Sequence, residues 1–561
     1  MLRPYSALAA LTAALAWAVI AACGSDAANS AFPPVMAATD DAAPPPIFGG
    51  KGDASNGPWS DFPKDPLVDG TPTDAGPSGA APANAAALFA AGAAAAADAG
   101  GSAPCLMEPE VGSLVPKNWL RPRFRWAAAG GANLFEIRVH ADNQVNDLLV
   151  YTASSQWTMP AAMWDQLRVH SAGVPITLSI RGGQLAGGAV TAVSQGSSGP
   201  WGIAPVEAPG SIVYWRIIGD AQADLKGFVI GDDTVRGALT PTKVEQHSTK
   251  CVGCHISSPD GKYAILSSND YAGQYGIGIA SIEPATEGKK PPFLTAFGQA
   301  SLEGYLQGIT TVAAPFWTTG KHLVVASSGG QIRWVNLDAT TDASSKGAVA
   351  LTGDAHTQPN SPNLSHDGTK LVYVSGNETV DGRPSGGAND LFTVPFNSGA
   401  GGAATPLNGA ATTANEYYPS FSPDDKFVAF NRIPSGENPY SAANAEVYII
   451  PSAGGTAQRL AANDPPACTA TKSPGVENSW PRWAPAKPAP ETVDGKTFYW
   501  LVFSSTRFGG GNRQLFMAPV VVDASGTVSA YKAVYLWNQP DNEKNHTPAW
   551  DVFAIPPSTP K

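Results

Sequence analysis

Apolar and polar residues alternate along many short segments of the chain, and a period of two is typical of half-buried β-strands. Phe135, Ile137 and Val139, for example, alternate with charged or polar side chains. The segment Met159–Leu167 breaks the alternation and favours a short helix or turn. We therefore predict a β-sandwich module in residues 105–204.

The same alternation runs through Phe124 and Trp126, and again through Ile176 and Leu178. The strand pattern of residues 105–204 resembles that of fibronectin type III or immunoglobulin-like modules, in which two antiparallel sheets pack face to face. The resemblance implies a spacer without an activity of its own.

A longer pattern recurs from residue 205 to the end of the chain. The segment Pro419–Phe430 enters on an apolar residue, turns through Ser-Pro-Asp-Asp and returns as an apolar strand, and Pro362–Tyr373 and Ser258–Leu266 are related to it. Proline, aspartate and glycine at such positions favour a tight turn between two strands. Aligned on the first proline, six copies begin at residues 255, 315, 362, 419, 481 and 548, with His255 in place of the proline in the first copy.

These copies resemble the PD40 (WD40-like) repeats of TolB-type propellers, and the resemblance covers residues 205–561. It implies an all-β fold with a six-bladed β-propeller, because a repeated unit of short strands is typical of propellers. The last copy has room for two strands at most. We therefore expect the strands at Ile212–Trp215 and Gly227–Ile230 to complete the final blade together with the C-terminal strand, which leaves no free sheet edge.

The N-terminus predicts export. Arg3 precedes an apolar run from Ala7 to Ile20, which is too short to remain as a membrane span. The run ends in Ile-Ala-Ala-Cys, which resembles the lipobox of bacterial lipoproteins and implies cleavage before residue 23 and lipidation of Cys23. Gly24 follows, and by the sorting rule of such lipoproteins this favours the outer membrane. The alternative is an ordinary signal peptide.

Residues 23–104 consist mostly of Ala, Gly, Pro, Ser and Asp. Such a segment buries too little apolar surface to offset its ordering entropy, so we expect a disordered tether with a transient helix at Ala85–Ala97. The formal net charge of −11 argues against a nucleic-acid surface. A monomer held by a lipid anchor, facing the periplasm or the cell surface, is expected.

Cys251-Val-Gly-Cys254-His255 matches the Cys-x-x-Cys-His pattern of c-type haem attachment. Two thiols at this spacing can add to the two vinyl groups, and His255 would then ligate the iron. The alternatives are a disulfide between Cys251 and Cys254 or another metal. If haem is bound, the leading candidate for the second iron ligand is His546, two residues before the last repeat proline; the alternative is an ordinary polar residue at the mouth of the propeller channel.

Other candidate residues are few. His356 is the second choice for the distal iron ligand. Cys105 and Cys468 are candidates for a disulfide that ties the sandwich module to the propeller. No Gly-x-Ser-x-Gly elbow and no phosphate-binding glycine loop occurs in the sequence, so no catalytic residues are predicted.

The sequence leaves three functional hypotheses. The first is a cell-envelope scaffold that binds a protein partner or ligand at the mouth of the propeller channel, as the resemblance to TolB-like propellers implies. The second is a haem c protein that transfers electrons or senses redox state or a gas. The third is a periplasmic enzyme that uses the channel, which no constellation of residues supports.

Overall fold

The computed structural model describes eleven segments of the chain. They are residues 58–70, 80–92, 103–219, 222–246, 249–270, 275–380, 383–385, 389–469, 471–485, 489–508 and 511–555. The fold is mostly β, and no helix in these segments is long and apolar enough to cross a membrane.

The N-terminal module extends to about residue 208 and contains two sheets that share one core. A six-stranded sheet has the order β1-β6-β5-β8-β9-β3 and a three-stranded sheet the order β2-β4-β7. The strands are β1 (Leu67–Val68), β2 (Cys105–Glu108), β3 (Leu114–Val115), β4 (Arg123–Ala127), β5 (Leu134–Ala141), β6 (Leu148–Thr152), β7 (Gln156–Thr158), β8 (Ile176–Ala186) and β9 (Ala189–Ile203). The helices are α1 (Ala85–Ala91) and α2 (Ala161–His170).

Helix α2 confirms the predicted helix, with its ends shifted towards the C-terminus. It begins directly after Pro160, because proline is well tolerated just before the first helical turn. Trp164 and Leu167 are its buried residues, one turn apart on one face.

The strands in the rest of the described chain pair mostly in antiparallel fashion. The first strands are β10 (Ser211–Gly219), β11 (Gln222–Val229), β12 (Arg236–Leu239), β13 (Thr249–Ser257), β14 (Tyr263–Asp270), β15 (Tyr275–Ser281), β16 (Gln307–Thr311), β17 (Trp317–Thr318), β18 (Lys321–Ser328), β19 (Gln331–Asn336), β20 (Lys346–Ala348), β21 (Ala350–Thr352), β22 (Asn360–Leu364), β23 (Lys370–Ser375), β24 (Glu378–Val380), β25 (Arg383–Ser385), β26 (Asp390–Pro395), β27 (Gly401–Ala403) and β28 (Thr405–Pro406). They continue with β29 (Asn415–Phe421), β30 (Phe427–Ile433), β31 (Glu446–Pro451), β32 (Gln458–Arg459), β33 (Ser479–Trp483), β34 (Thr492–Val493), β35 (Lys496–Ser505), β36 (Gln514–Asp523), β37 (Val528–Ala530), β38 (Val534–Tyr535) and β39 (Lys544–Asp551).

Short helices lie in the connections between these strands. Two are α-helical, α3 (Ala296–Tyr305) and α4 (Asp342–Ser345). The others are 3-10 turns at Pro241–Lys243, Ala314–Phe316, Asn397–Gly399, Ala461–Asn463 and Ala467–Thr469.

Six strands, which we call the inner strands, contact one another in a closed ring. In order around the ring they are β13, β16, β22, β29, β33 and β39, and β39 again contacts β13. An antiparallel group extends from each inner strand: β13-β14-β15, β16-β18-β19-β20, β22-β23-β26-β28, β29-β30-β31-β32, β33-β35-β36-β37 and β39-β10-β11-β12. A parallel bridge between β13 and β11 joins the first and last of these groups into one sheet. We call the space that this ring encloses the central channel.

The last group confirms the predicted pairing of the two ends of this region. β10 pairs with the C-terminal strand β39 in antiparallel register, so that Ile212 lies opposite Trp550. The pairing gives the final strand a partner on the side that would otherwise be an open sheet edge.

In most inner strands a β-bulge lies at the repeat proline. The residue that precedes it has a positive φ at Ser361, Tyr418, Trp480 and Thr547. Register shifts lie at the same places in the pairings of β22, β29, β33 and β39. A bulge re-aims the side chains of the strand, so these positions differ in direction from regular strand residues.

One copy of the repeat was assigned incorrectly from the sequence. Pro315 lies in a 3-10 turn, and the inner strand of that group is β16, which ends at Thr311. The left-handed position of this strand is Gly308, with φ of 74°. The local sequence Pro-Phe-Trp resembles the start of a repeat. The pairing of β16 with β18 shows that this copy begins earlier in the chain.

Part of the predicted tether is folded, which corrects that expectation. Leu67 and Val68 form a parallel pairing with β6, and Phe62 is buried at 1% exposure against the module. Phe89 of α1 packs on Tyr151. These few large apolar residues find partners that are distant in sequence, which the local composition does not reveal. Cys23 and the apolar leader lie outside the described residues.

Candidate functional site in the central channel

Side chains from several inner strands meet in one apolar cluster inside the ring. Tyr418 of β29 and Trp480 of β33 have ring centroids 3.9 Å apart. Cys254 of β13 and Ile309 of β16 pack against the same apolar cluster. In the ring, β13 lies opposite β29 and β16 lies opposite β33. Because residues of four inner strands converge here, this cluster is the apolar floor of the channel.

One cation lies beside this floor. Arg482 of β33 is half-buried, and its guanidinium carbon is 5.9 Å from the centre of the Trp480 ring. Its Nη1 donates to the carbonyl oxygens of Pro419 at 3.4 Å and Pro481 at 3.5 Å. Burial lowers the pKa of Arg482 to about 10, so the side chain stays positive at neutral pH. Cys254 and Tyr418 are its closest ionisable neighbours.

A buried carboxyl group lies at the end of one inner strand. Asp551 ends β39, and its Oδ1 accepts a hydrogen bond from the backbone amide of Val552 at 2.8 Å. Burial raises its pKa to about 6, and His366 from another group opposes that shift. The inner strands therefore carry a permanent positive charge on β33 and a titratable carboxyl group at the end of β39.

The Cys-x-x-Cys-His motif forms the middle of inner strand β13. Cys251 is buried at 1% exposure in the apolar cluster between β13 and β10, whereas Cys254 packs on the channel floor. The two thiols therefore lie in different clusters. No disulfide joins Cys251 to Cys254 in the part of the chain that the structure describes.

The imidazole of His255 ties β13 to β10. Its Nε2 lies 3.1 Å from the carbonyl oxygen of Val213, and its Nδ1 lies 3.2 Å from that of Gly253. Burial lowers the pKa of His255 to about 4, so the ring is neutral at pH 7 and one of its two nitrogens can donate. A neutral histidine between two carbonyl groups is a structural cross-link between strands.

In this conformation the motif does not fit a covalent haem. Attachment needs both thiols along one edge of the porphyrin and a histidine nitrogen directed at the iron. Cys251 and Cys254 lie in separate clusters, and the Nε2 of His255 faces Val213. No cluster of three metal-binding side chains is present in the described segments.

The two histidines considered as distal ligands lie at different places. His546 is fully buried on β39, where its Nδ1 lies 2.8 Å from the Ser504 hydroxyl and its ring is 5.9 Å from that of Trp480. His356 lies on another group of strands, bound to Asp354 at 2.9 Å and packed on Phe392. The structure thus brings His546 near the channel floor and places His356 away from it.

Cys105 and Cys468 are joined by a disulfide with a Cα–Cα distance of 5.7 Å. It connects β2 of the N-terminal module to a 3-10 turn of the ring. Arg125 of the same module forms an ion pair with Asp541 at 3.1 Å and lies over the Phe508 ring. The module is therefore fixed to one side of the ring by a covalent bond and by ionic and aromatic contacts.

Arg482 is the site residue that the sequence interpretation missed. A signal was present, because the residue after the repeat proline is Asn363 in β22 and Ser420 in β29 but arginine in β33. A charged residue at a position that is uncharged in these other copies indicates a role that the repeat itself does not need.

Comparisons with known proteins give no family. No protein-family model matches the chain, and no curated protein matches it. Solved structures that resemble part of it include TolB from Acinetobacter baumannii, with 15% identity and a TM-score of 0.37 over 61% of this chain and 66% of that chain. Hydrazine synthase from Kuenenia stuttgartiensis has 11% identity and a TM-score of 0.36 over 61% of this chain and 46% of that chain. The chain thus spans less than two thirds of either neighbour.

Proposed function

We propose that this chain is a binding scaffold of the bacterial cell envelope, which receives a protein partner at the mouth of its central channel. The observation that carries the proposal is the closed ring of inner strands, with side chains of opposite strands converging on one channel. A closed ring leaves the channel mouth as its concave surface, and concave surfaces are where binding sites concentrate.

Within this proposal the six antiparallel groups are the six blades of a β-propeller. The pairing of β10 with β39 completes the sixth blade from both ends of the region. The two sheets that share the N-terminal core form the sandwich module, which holds the propeller at a fixed orientation through the Cys105–Cys468 disulfide.

The lipid anchor is the second part of the proposal and rests on the sequence around Cys23. Acylation at this residue would hold a monomeric propeller at the outer membrane, facing the periplasm or the cell surface. Metabolic labelling with a radioactive fatty acid tests it. Label and membrane fractionation should both be lost in Cys23→Ser, and an unlabelled wild-type protein would overturn the anchor without touching the channel proposal.

A photo-crosslinking experiment in living cells tests the binding role. Gln307 is exposed at the start of inner strand β16, and Thr405 is exposed on the outermost strand β28. A photoreactive amino acid at Gln307 should capture one envelope protein, identified by mass spectrometry and confirmed with that purified protein. The same reagent at Thr405 is the matched control. Equal capture at both positions, or none at Gln307, would overturn the proposal.

The described residues add no observation in favour of haem-based electron transfer or of an enzyme. The motif geometry opposes haem-based electron transfer in this conformation, because the Nε2 of His255 lies 3.1 Å from the carbonyl oxygen of Val213. We therefore propose the binding scaffold as the function of this chain.

A further inference from the structure

Arg482 lacks the carboxylate partner that several other arginines of the ring have. Arg216, Arg432, Arg459 and Arg513 each contact a carboxylate of the same fold: Asp224, Glu416, Glu446 and Glu477. No carboxylate of the described residues lies within 4 Å of Arg482, whose acceptors are the two carbonyl oxygens at 3.4 and 3.5 Å. Within the described residues, the Arg482 guanidinium therefore has only these two long hydrogen bonds to protein oxygens.

The surroundings of Arg482 favour an anion. Trp480, Tyr418 and Cys254 form an apolar floor beside it, and a charge–charge interaction is stronger where water is excluded. Guanidinium presents its donors in a planar fork that matches the two oxygens of a carboxylate. Asp551, at the end of β39, interacts instead with Val552, Ser257 and His366.

We propose that Arg482 is the anchor of a carboxylate-binding site in the central channel. The inference rests on the proposed binding role and gives it a chemistry: the ligand inserts a carboxylate into the channel, where the guanidinium fork receives it above Trp480. The carboxylate belongs either to the end of a polypeptide segment or to a small free carboxylic acid.

The test is calorimetric titration of the full exported protein at pH 7.5 and constant ionic strength. The probes are succinate, a hexapeptide with a free C-terminal carboxylate, the same peptide with an amidated C-terminus, and inorganic phosphate. Arg482→Gln removes the charge, and Arg482→Lys keeps the charge but removes the fork. Arg333→Gln, on the outer strand β19, is the matched control.

We expect the free-acid peptide or succinate to bind, and we expect the affinity to fall at least tenfold in Arg482→Gln and to remain unchanged in Arg333→Gln. The lysine variant should bind with intermediate affinity. Binding of the free peptide without succinate assigns a polypeptide end, and the reverse assigns a small acid. The wild-type protein alone tests the role of the carboxylate, because its affinities for the free and the amidated peptide can be compared. The inference therefore stays testable even if a variant folds poorly.

Two results would overturn the inference. One is equal binding of the free and amidated peptides with no response to succinate, and the other is a response to phosphate that equals or exceeds the response to carboxylates. Crosslinking from Gln307 separates this inference from the broader proposal. A partner captured equally well by wild-type protein and Arg482→Gln would leave the scaffold role standing and refute the carboxylate site.

Discussion

Cys105 and Cys468, which are 363 positions apart, are joined by a disulfide that fixes the N-terminal module to the ring. A cross-link across so long a loop removes much conformational freedom from the unfolded chain. We predict that Cys105→Ser, Cys468→Ser and the double variant lower the free energy of unfolding by about 2–5 kcal/mol each. Scanning calorimetry under oxidising conditions measures this.

Reduction of the wild-type protein should reproduce the effect of the double variant and should not change the double variant itself. If wild-type and double-variant proteins melt at the same temperature, the disulfide does not form in the exported protein.

A second prediction concerns Glu110, which lies where the module meets the ring. Glu110 is 5% exposed, its Oε1 is 3.8 Å from the Lys532 ammonium, and Arg507 and Asp464 are its other charged neighbours. Burial raises the pKa of Glu110 to about 7 from 4.5. The folded state therefore favours the protonated form of this carboxyl group.

Because the folded-state pKa is the higher one, the favourable contribution is complete below pH 4.5 and is lost as the pH rises through 7. Glu110→Gln mimics the protonated form and should be more stable than wild type at pH 8, on the order of 3 kcal/mol at most, and similar to it at pH 5. Urea denaturation at the two pH values measures the difference. Asp551, whose pKa is about 6, titrates in both proteins and cancels in the comparison. Parallel pH profiles would contradict the prediction.

The sequence predicted the strands and turns of the ring well because their signals are local. Ser-Pro-Asp-Gly specifies a turn wherever it lies, and the segment beginning at Pro419 forms the strand and turn it predicted. Pro315 misled because a Pro-Phe-Trp segment also suits a 3-10 turn, and only the pairing of β16 with β18 decides between them. Arg482 was missed for a related reason: the absence of a nearby carboxylate depends on strands that are remote in sequence.

Closure of the ring gives a third prediction. Trp550 of β39 is 3% exposed, its Nε1 donates to the carbonyl oxygen of Pro209 at 2.8 Å, and its ring centre is 6.0 Å from that of Trp119. Trp550→Ala should lower the free energy of unfolding by about 3–5 kcal/mol, because it leaves a cavity where the last strand meets the module. Phe297, 44% exposed on α3, is the control, and Phe297→Ala should change stability by about 0.5 kcal/mol or less. Equal effects would show that β39 does not close the ring.

The last prediction concerns haem and follows from the folded geometry of β13. Cys251 is 1% exposed, and the Nε2 of His255 is held against Val213. We therefore expect the purified, reduced and folded protein to take up no haem when it is incubated with haemin, so that no Soret band and no haem-stained band on a denaturing gel appear. Any attachment through Cys251 and Cys254 has to precede the folding of this strand.

Production in the periplasm of a host with a c-type cytochrome maturation system provides the decisive comparison. A Soret band that appears only in this host, and is lost when Cys251 and Cys254 are both replaced by Ser, would show that the motif is loaded before folding and that the haem-loaded strand differs from the one described here. A colourless protein from both hosts would leave His255 as the cross-link between β13 and β10. In that case His255→Ala should destabilise the ring, because the carbonyl oxygen of Val213 loses its buried partner, at a cost of about 1–3 kcal/mol.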